Sequence, residues 1–203
     1  MSALEPKDVR LIRLALAICL GEWDLLRELR RAAPPDEPNR EWREVVLQCH
    51  LFAGFPRVVE ACEVLSNEGG LGTPSAEETR PMGDRFEAGR ELFETIYGSR
   101  AAGVRTALQA YHPTLERWIE GHAYGRVLAR PGLSAAVREL CAVACLAALD
   151  QDRQLASHAR GAVHCGATAE QVKEAVEQIA LLVPEETVNR ARRVAERFLP
   201  RPG

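Results

Sequence analysis

Apolar residues recur at helical spacing along most of the chain, and this periodicity is the feature that most restricts its fold. It is clearest over residues 9–20 and 135–149. Hydrophobic residues make up 46% of the 203 residues but aromatic residues only 5%, so alanine, leucine and valine supply the apolar surface. These are residues of close-packed helices rather than of strands. The sequence therefore predicts an all-α fold.

The charge balance and the lengths of the apolar runs bear on partners and location. The 26 basic and 29 acidic residues leave a net charge of -3, which gives no electrostatic reason to bind nucleic acid or an anionic membrane. The longest apolar run, residues 140–149, is half of the roughly 20 residues that a membrane span needs. Glu5 and Asp8 stand where a secretory signal carries basic residues. We expect a cytoplasmic protein whose six cysteines are mostly reduced and buried.

Turn and capping residues divide the chain into helices. Gly54 and Pro56 are predicted to break one helix, and residues 66–74 form the strongest loop signal. Ser134 is a good N-cap, and Thr168 opens a capping box with Gln171. The predicted helices cover residues 9–20, 40–51, 55–65, 75–97, 101–110, 113–128, 135–149, 151–163 and 186–198, with a further helix that begins after Thr168.

An internal offset of about 128 to 130 residues indicates a repeat. At this offset Val9 and Arg10 overlay Val137 and Arg138, and Pro56 overlays Pro184. The match is one of residue classes rather than of identities. We therefore expect an N-terminal repeat over residues 1–65, a connecting helical segment over 66–112 and a C-terminal repeat over 113–203.

Residues 118–182 resemble the carboxymuconolactone decarboxylase family, which includes the alkylhydroperoxidase D-like proteins. Residues 39–61 are similar to the closing part of the same domain. The resemblance implies an alkylhydroperoxidase D-like helical bundle built from two related repeats, and a homo-oligomer in which a two-copy chain favours a trimer. It is carried by Tyr124-Gly125, residues 130–134, Arg138-Glu139-Leu140, His158, Gly161-Ala162, residues 166–168, Glu174, residues 44–48 and residues 51–56.

Glu139 and His158 are the candidate catalytic residues. Glu139 lies five residues into an apolar helix, where desolvation favours the proton-bound form of a carboxyl. His158 is predicted on the following helix beside small residues. Taken alone, each residue has a structural explanation. Glu139 could pair with Arg138 or Arg160, and the His158 imidazole could simply pack in the core. In the family that the chain resembles, a Glu and a His at this separation form a proton-transfer site.

The resemblance also shows a departure from the peroxidase branch. Alkylhydroperoxidase D-like proteins carry a Cys-x-x-Cys pair between that Glu and that His, whereas this sequence has Gln151 and Gln154 there. An amide cannot attack or resolve a peroxide. Cys165 or Cys141 could supply a residual thiol activity. The cysteines and histidines lack metal-ligand spacing, so we expect neither a metal nor another cofactor.

Six further residues are candidates for binding a small carboxylated or lactone substrate. Arg130 could hold a carboxylate and Tyr124 could donate a hydrogen bond, although capping and packing explain them equally well. His50 and Phe55 could complete a pocket around His158, because an aromatic-Gly-x-Pro segment of the family is matched only in the N-terminal repeat. Gln151 and Gln154 complete the set.

Three functions follow from these residues. The favoured one is cofactor-free acid–base chemistry, decarboxylation or a related step catalysed by a lyase. The second is an antioxidant thiol peroxidase of the alkylhydroperoxidase type. The third is a helical assembly protein that has lost catalysis, in which Glu139 would pair with an arginine and His158 would pack against leucine.

Overall fold

The computed structural model describes residues 2–80 and 85–199. These residues form helices and connecting segments and contain no strand, so the predicted all-α class is confirmed. Twelve α-helices follow one another: α1 (Pro6–Leu20), α2 (Trp23–Ala32), α3 (Asn39–Gln48), α4 (His50–Asn67), α5 (Ala76–Thr79), α6 (Phe86–Tyr97), α7 (Ala101–Tyr111), α8 (Pro113–Trp118), α9 (Ala135–Ala148), α10 (Asp152–His164), α11 (Ala169–Glu177) and α12 (Glu185–Phe198).

The chain divides into two compact units. The larger unit combines Met1–Thr73 with Gly132–Gly203 and contains α1 to α4 and α9 to α12; the central unit is Pro74–Pro131. Both ends of the chain therefore contribute to one hydrophobic core. The division into two repeats and a connecting segment stays a prediction, because two segments can form one compact unit whether or not they are repeats of each other.

Helices α1 and α9 form the centre of the larger unit. Leu11, Leu14 and Leu16 of α1 have no exposed surface, and neither do Val143 and Ala144 of α9. The two helices pack against each other and against α3, α4 and α11. Because α9 is apolar over most of its length beyond the first turn, α1, α3, α4, α10, α11 and α12 pack around it.

The predicted helix starts at Ser134 and Thr168 are confirmed. The Ser134 hydroxyl accepts a hydrogen bond from the Val137 backbone N–H at 3.2 Å and begins α9. Thr168 and Gln171 form the reciprocal capping box of α11. Gly166, with a φ of 103°, follows α10 in the left-handed conformation that glycine adopts without strain.

Several helix boundaries differ from the sequence prediction. A single helix over residues 75–97 is wrong, because α5 ends at Thr79 and Arg80, with φ -55° and ψ 130°, is not helical. Arg80 precedes a proline, which disfavours helical backbone at the residue before it; residues 81–84 lie outside the described chain. The chain also turns at Cys49, between α3 and α4, and no glycine or proline there predicts a turn. The predicted break at Gly54 is present inside α4, with a φ of 76°.

Glycines set the packing within the central unit. A Cβ on Gly89 of α6 would lie 2.2 Å from the Glu120 carbonyl oxygen, and one on Gly125 would lie 2.6 Å from the Arg85 carbonyl oxygen. Residues Ile119–Leu128 form a π-helix. Backbone thus packs directly on backbone here, which explains why glycine follows Tyr124.

Within the described ranges, no single helix is long and apolar enough to cross a membrane. Helices α3 and α4 meet the length and hydropathy requirement only when taken together, and a bend of 115° separates them.

A buried ion pair joins α9 to α3 within the larger unit. The Arg138 Nη2 donates to Glu44 Oε2 at 2.8 Å, and both side chains are 1% exposed. The Gln48 amide nitrogen donates to the Arg138 carbonyl oxygen at 2.8 Å. Removing one partner of such a pair leaves the other charge buried without compensation.

Replacing Glu44 with Leu should therefore lower the free energy of unfolding by about 3–5 kcal/mol, as measured by urea unfolding followed by circular dichroism. The double variant Glu44→Leu/Arg138→Leu should recover much of that loss, because no buried charge remains. Glu60→Gln on the exposed face of α4 is the control and should change stability by less than about 0.5 kcal/mol. A double variant that loses the sum of both single effects would contradict this account.

Candidate functional site

Glu139 is held inside the larger unit by α9. It is the fifth residue of that helix, and the residues that follow it, Leu140 to Ala147, are all buried. Its side chain is 2% exposed. A carboxyl at this position has little access to water and needs a polar partner within the protein.

His158 supplies that partner from α10. Its Nδ1 lies 2.8 Å from Glu139 Oε2. Ala159, Gly161 and Ala162 are buried around it on the same helix, and such small side chains let α10 lie close to α9. The two predicted catalytic residues, nineteen positions apart in sequence, are therefore in direct contact.

The contact favours the protonated imidazole. Burial lowers the pKa of His158, but the negative charge of Glu139 and the hydrogen bond to it outweigh that effect, so the net pKa is raised above its ordinary value. The Nδ1–H then donates to the carboxylate, which leaves Nε2 as the ring nitrogen that can exchange a proton with another molecule.

The two members of the pair differ in exposure. The His158 side chain is 10% exposed, against 2% for Glu139. A proton from solvent or from a bound molecule therefore reaches the pair through the imidazole. Glu139 holds the imidazole by a hydrogen bond from inside the unit.

The Arg138 guanidinium, which the structural alternative pairs with Glu139, donates to Glu44 and Gln48. The Arg160 guanidinium lies over the Phe198 ring, 4.9 Å from its centroid. The Arg138–Glu44 pair was missed by the sequence reasoning. The sequence did contain a signal for this pair, because each of the two helices carries a charged residue within its apolar face. Charged residues in such positions are rarely buried unless they are paired.

Arg130 and Tyr124 belong to the central unit. Tyr124 is 3% exposed; its hydroxyl donates to the Tyr97 hydroxyl at 3.2 Å and its ring packs edge-on against Phe93 at 5.0 Å. Arg130 Nη2 donates to the Glu78 carbonyl oxygen at 3.3 Å. These contacts agree with the packing and structural roles that the sequence left open, and substrate binding by either residue stays a prediction.

Gln151 and Gln154 lie on the exposed surface near the start of α10. Gln154 precedes His158 by one helical turn, so both side chains are on the same face of α10. The Gln151 amide nitrogen donates to the Leu149 carbonyl oxygen at 3.0 Å. The position of Gln154 suits contact with a molecule that approaches the exposed edge of His158.

His50 and Phe55 stack on each other at the start of α4. Their ring centroids are 4.8 Å apart and the planes differ by 6°. Phe55 is 66% exposed, so most of its ring faces solvent. Their predicted place in a pocket around His158 therefore stays a prediction.

The two cysteines considered for peroxide chemistry are poorly suited to it. Cys141 is fully buried, and burial raises the pKa of its thiol far above the ordinary value. Burial, with a contribution from the Glu139 charge, raises the pKa of the Cys165 thiol to about 12. Since the thiolate is the nucleophile, both environments oppose its formation. Among residues 2–80 and 85–199, no group of three or more His, Cys, Asp or Glu side chains could hold a metal ion.

The central unit contains a groove of about 510 Å³. Phe86, Thr114, Arg117 and Trp118 line it. The groove combines aromatic surface with one cationic side chain, but none of these residues belongs to the predicted site.

The described residues form an all-α fold that holds a buried carboxylate–imidazole pair. Residues 113–197 match the carboxymuconolactone decarboxylase family. The chain is 29% identical to Peroxisomal protein 2 of Schizosaccharomyces pombe over 71% of this chain and 68% of that protein. It is 27% identical to 4-carboxymuconolactone decarboxylase of Acinetobacter baylyi over 55% of this chain and 84% of that protein.

The pKa of His158, measured by NMR titration of its ring signals, should lie above about 6.5 in the native chain. In Glu139→Gln it should fall below that value, because burial then acts without the opposing charge. His164→Gln removes a neighbouring histidine signal and serves as an assignment control that leaves the titration of His158 unchanged. A pKa that does not move in Glu139→Gln would contradict the electrostatic coupling.

Proposed function

We propose that this protein catalyses cofactor-free acid–base chemistry, decarboxylation or a related step, on a small carboxylated or lactone substrate. Glu139 and His158 are the proton-transfer pair. The observation that carries the proposal is their buried hydrogen bond of 2.8 Å, with the imidazole on the more exposed side. The name of the Acinetobacter baylyi relative supports decarboxylation of a lactone as the first reaction to test.

Decarboxylation of such a lactone needs one proton delivered to carbon. The bond to the carboxylate carbon breaks and carbon dioxide leaves, while the electron pair stays on a carbon that the lactone carbonyl can stabilise. His158 donates the proton from Nε2, and the Glu139 carboxylate stabilises the imidazolium before transfer. The imidazole regains its proton from water at its exposed edge, which completes the cycle.

The remaining predicted residues have supporting roles in this proposal. Gln154 contacts the substrate one turn before His158, with Gln151, His50 and Phe55 at the rim. Arg130 and Tyr124 lie in the central unit, and binding of a carboxylate and a polar group by them is a separate proposal that the Glu139–His158 pair does not require. None of these roles requires a metal or an organic cofactor.

The alternative of a thiol peroxidase using Cys165 or Cys141 has less support, because both thiols have a raised pKa. A non-catalytic assembly role has less support as well, since Glu139 contacts an ionisable histidine. The name of the Schizosaccharomyces pombe relative gives a location and not a reaction. A peroxisomal location is thus an alternative to the cytoplasmic one that we propose.

The proposal includes a homo-oligomer, with a trimer favoured. Phe55 and Val59 are 66% and 63% exposed and lie one turn apart on α4. Together they form an apolar face that a second copy of the chain could cover.

Purified chain should release carbon dioxide from 4-carboxymuconolactone, and Glu139→Gln and His158→Gln should each lower kcat by about 10²–10⁴. The glutamine in the first variant keeps the shape of the side chain but cannot titrate. Glu170→Gln, on the exposed surface of α11, is the matched control and should leave kcat unchanged. Full activity in Glu139→Gln would end the proton-transfer account, and no turnover by the native chain would exclude this lactone as substrate.

A further inference from the structure

Four buried thiols surround the contact between the N-terminal and C-terminal helices of the larger unit. Cys19 lies near the end of α1, Cys49 lies between α3 and α4, and Cys141 and Cys145 lie on α9. All four are reduced in this structure, and none is more than 4% exposed. The acid–base site uses none of them.

Two of these thiols are close enough for a covalent bond with only a small movement. The Sγ atoms of Cys19 and Cys145 are 3.3 Å apart, on two helices that pack directly against each other. A disulfide bond is about 2.05 Å long, so the sulfurs need to approach by about 1.2 Å. Rotation about the Cα–Cβ bonds and a slight shift of one helix can supply that distance.

We propose that Cys19 and Cys145 are a redox-modification site, at which a small hydroperoxide oxidises the two thiols to a reversible disulfide between α1 and α9. This pairing differs from a Cys-x-x-Cys arrangement, because its partners are 126 residues apart in sequence. It also assigns a function to two cysteines for which the sequence predicts only a reduced, buried thiol.

Cys19 is the thiol that reacts first. Hydrogen bonds from Cys145 and from Cys49 lower the pKa of Cys19 despite its burial, and the positive charge of Arg57 adds to the effect. The Arg57 guanidinium lies against Gly21, two residues beyond Cys19, where any side chain would collide with it. The pKa values of Cys145 and Cys49 are raised by the same hydrogen bonds and by burial. Cys19 is also the most exposed of the four, at 4%.

The reaction proceeds in two balanced steps. The Cys19 thiolate attacks one peroxide oxygen, the O–O bond breaks, and the leaving alkoxide or hydroxide takes up a proton, which leaves a sulfenic acid on Cys19. The Cys145 sulfur then attacks the Cys19 sulfur and expels the sulfenic oxygen, which leaves with the thiol proton as water. Two thiols lose two electrons, and one hydroperoxide is reduced to an alcohol or water. A thiol reductant reverses the bond.

The crosslink would fix α1 to the helix that carries Glu139. It lies about one and a half turns beyond Glu139 along α9, so it would restrain α9 without contacting His158. The proposal does not depend on the proposed function, and Glu139→Gln should form the crosslink as readily as the native chain.

The test is peptide mapping of the full reduced chain after treatment with hydrogen peroxide. Free thiols are blocked with an alkylating agent during denaturation, and the protein is cleaved with trypsin. We expect residues 14–27 linked to residues 139–153, at a mass about 2 Da below the sum of the two peptides. Fragmentation between Val143 and Ala144 should place the bond on Cys145 and leave Cys141 alkylated. Addition of dithiothreitol should release both peptides.

Matched variants make the assignment specific. Cys145→Ala should abolish the crosslink, whereas Cys141→Ala, on the same helix and equally buried, and Cys62→Ser, on the surface, should retain it. If Cys145→Ala fails to fold, the fragmentation pattern of the native chain decides the question on its own. Linkage of Cys19 to Cys49 or Cys141, or fully alkylated Cys19 after peroxide treatment, would overturn the proposal.

Discussion

The larger unit depends on the pairing of two adjacent buried charged residues on α9. Arg138 and Glu139 follow each other in sequence, and each is 1% exposed. Successive residues of a helix point about 100° apart, so one partner cannot serve both. Glu44 of α3 pairs with Arg138, and His158 of α10 pairs with Glu139. The same two residues thus tie α9 to helices from both ends of the chain.

This arrangement gives the two ionisable pairs different roles. The Arg138 and Glu44 side chains are each 1% exposed and bind each other, as expected for a structural ion pair. His158 has a titratable ring with one edge toward the outside, and its charge depends on Glu139. Imidazole is the side chain whose ordinary pKa lies near neutral pH, which is why we propose the second pair for the chemistry.

Much of this structure could be predicted from local features of the sequence, whereas most long-range contacts could not. The caps at Ser134 and Thr168 were predictable because they depend on residues three positions away. The Glu139–His158 pair was predictable from a family resemblance, and not from spacing alone. The pairings of Arg138 with Glu44 and of Cys19 with Cys145 span 94 and 126 residues, so local spacing does not specify which partner each residue takes.

The measurement that tests the central claim most directly is a double-mutant cycle on unfolding free energy, with Glu139→Gln, His158→Gln and the double variant, at pH 5.5 and pH 9. Because the folded pKa of His158 is raised, its stabilisation is present below the unfolded pKa and is lost as pH rises through the folded pKa. The account predicts a coupling energy of about 1–3 kcal/mol at pH 5.5 and a smaller one at pH 9. Equal coupling at both pH values, or none at pH 5.5, would contradict it.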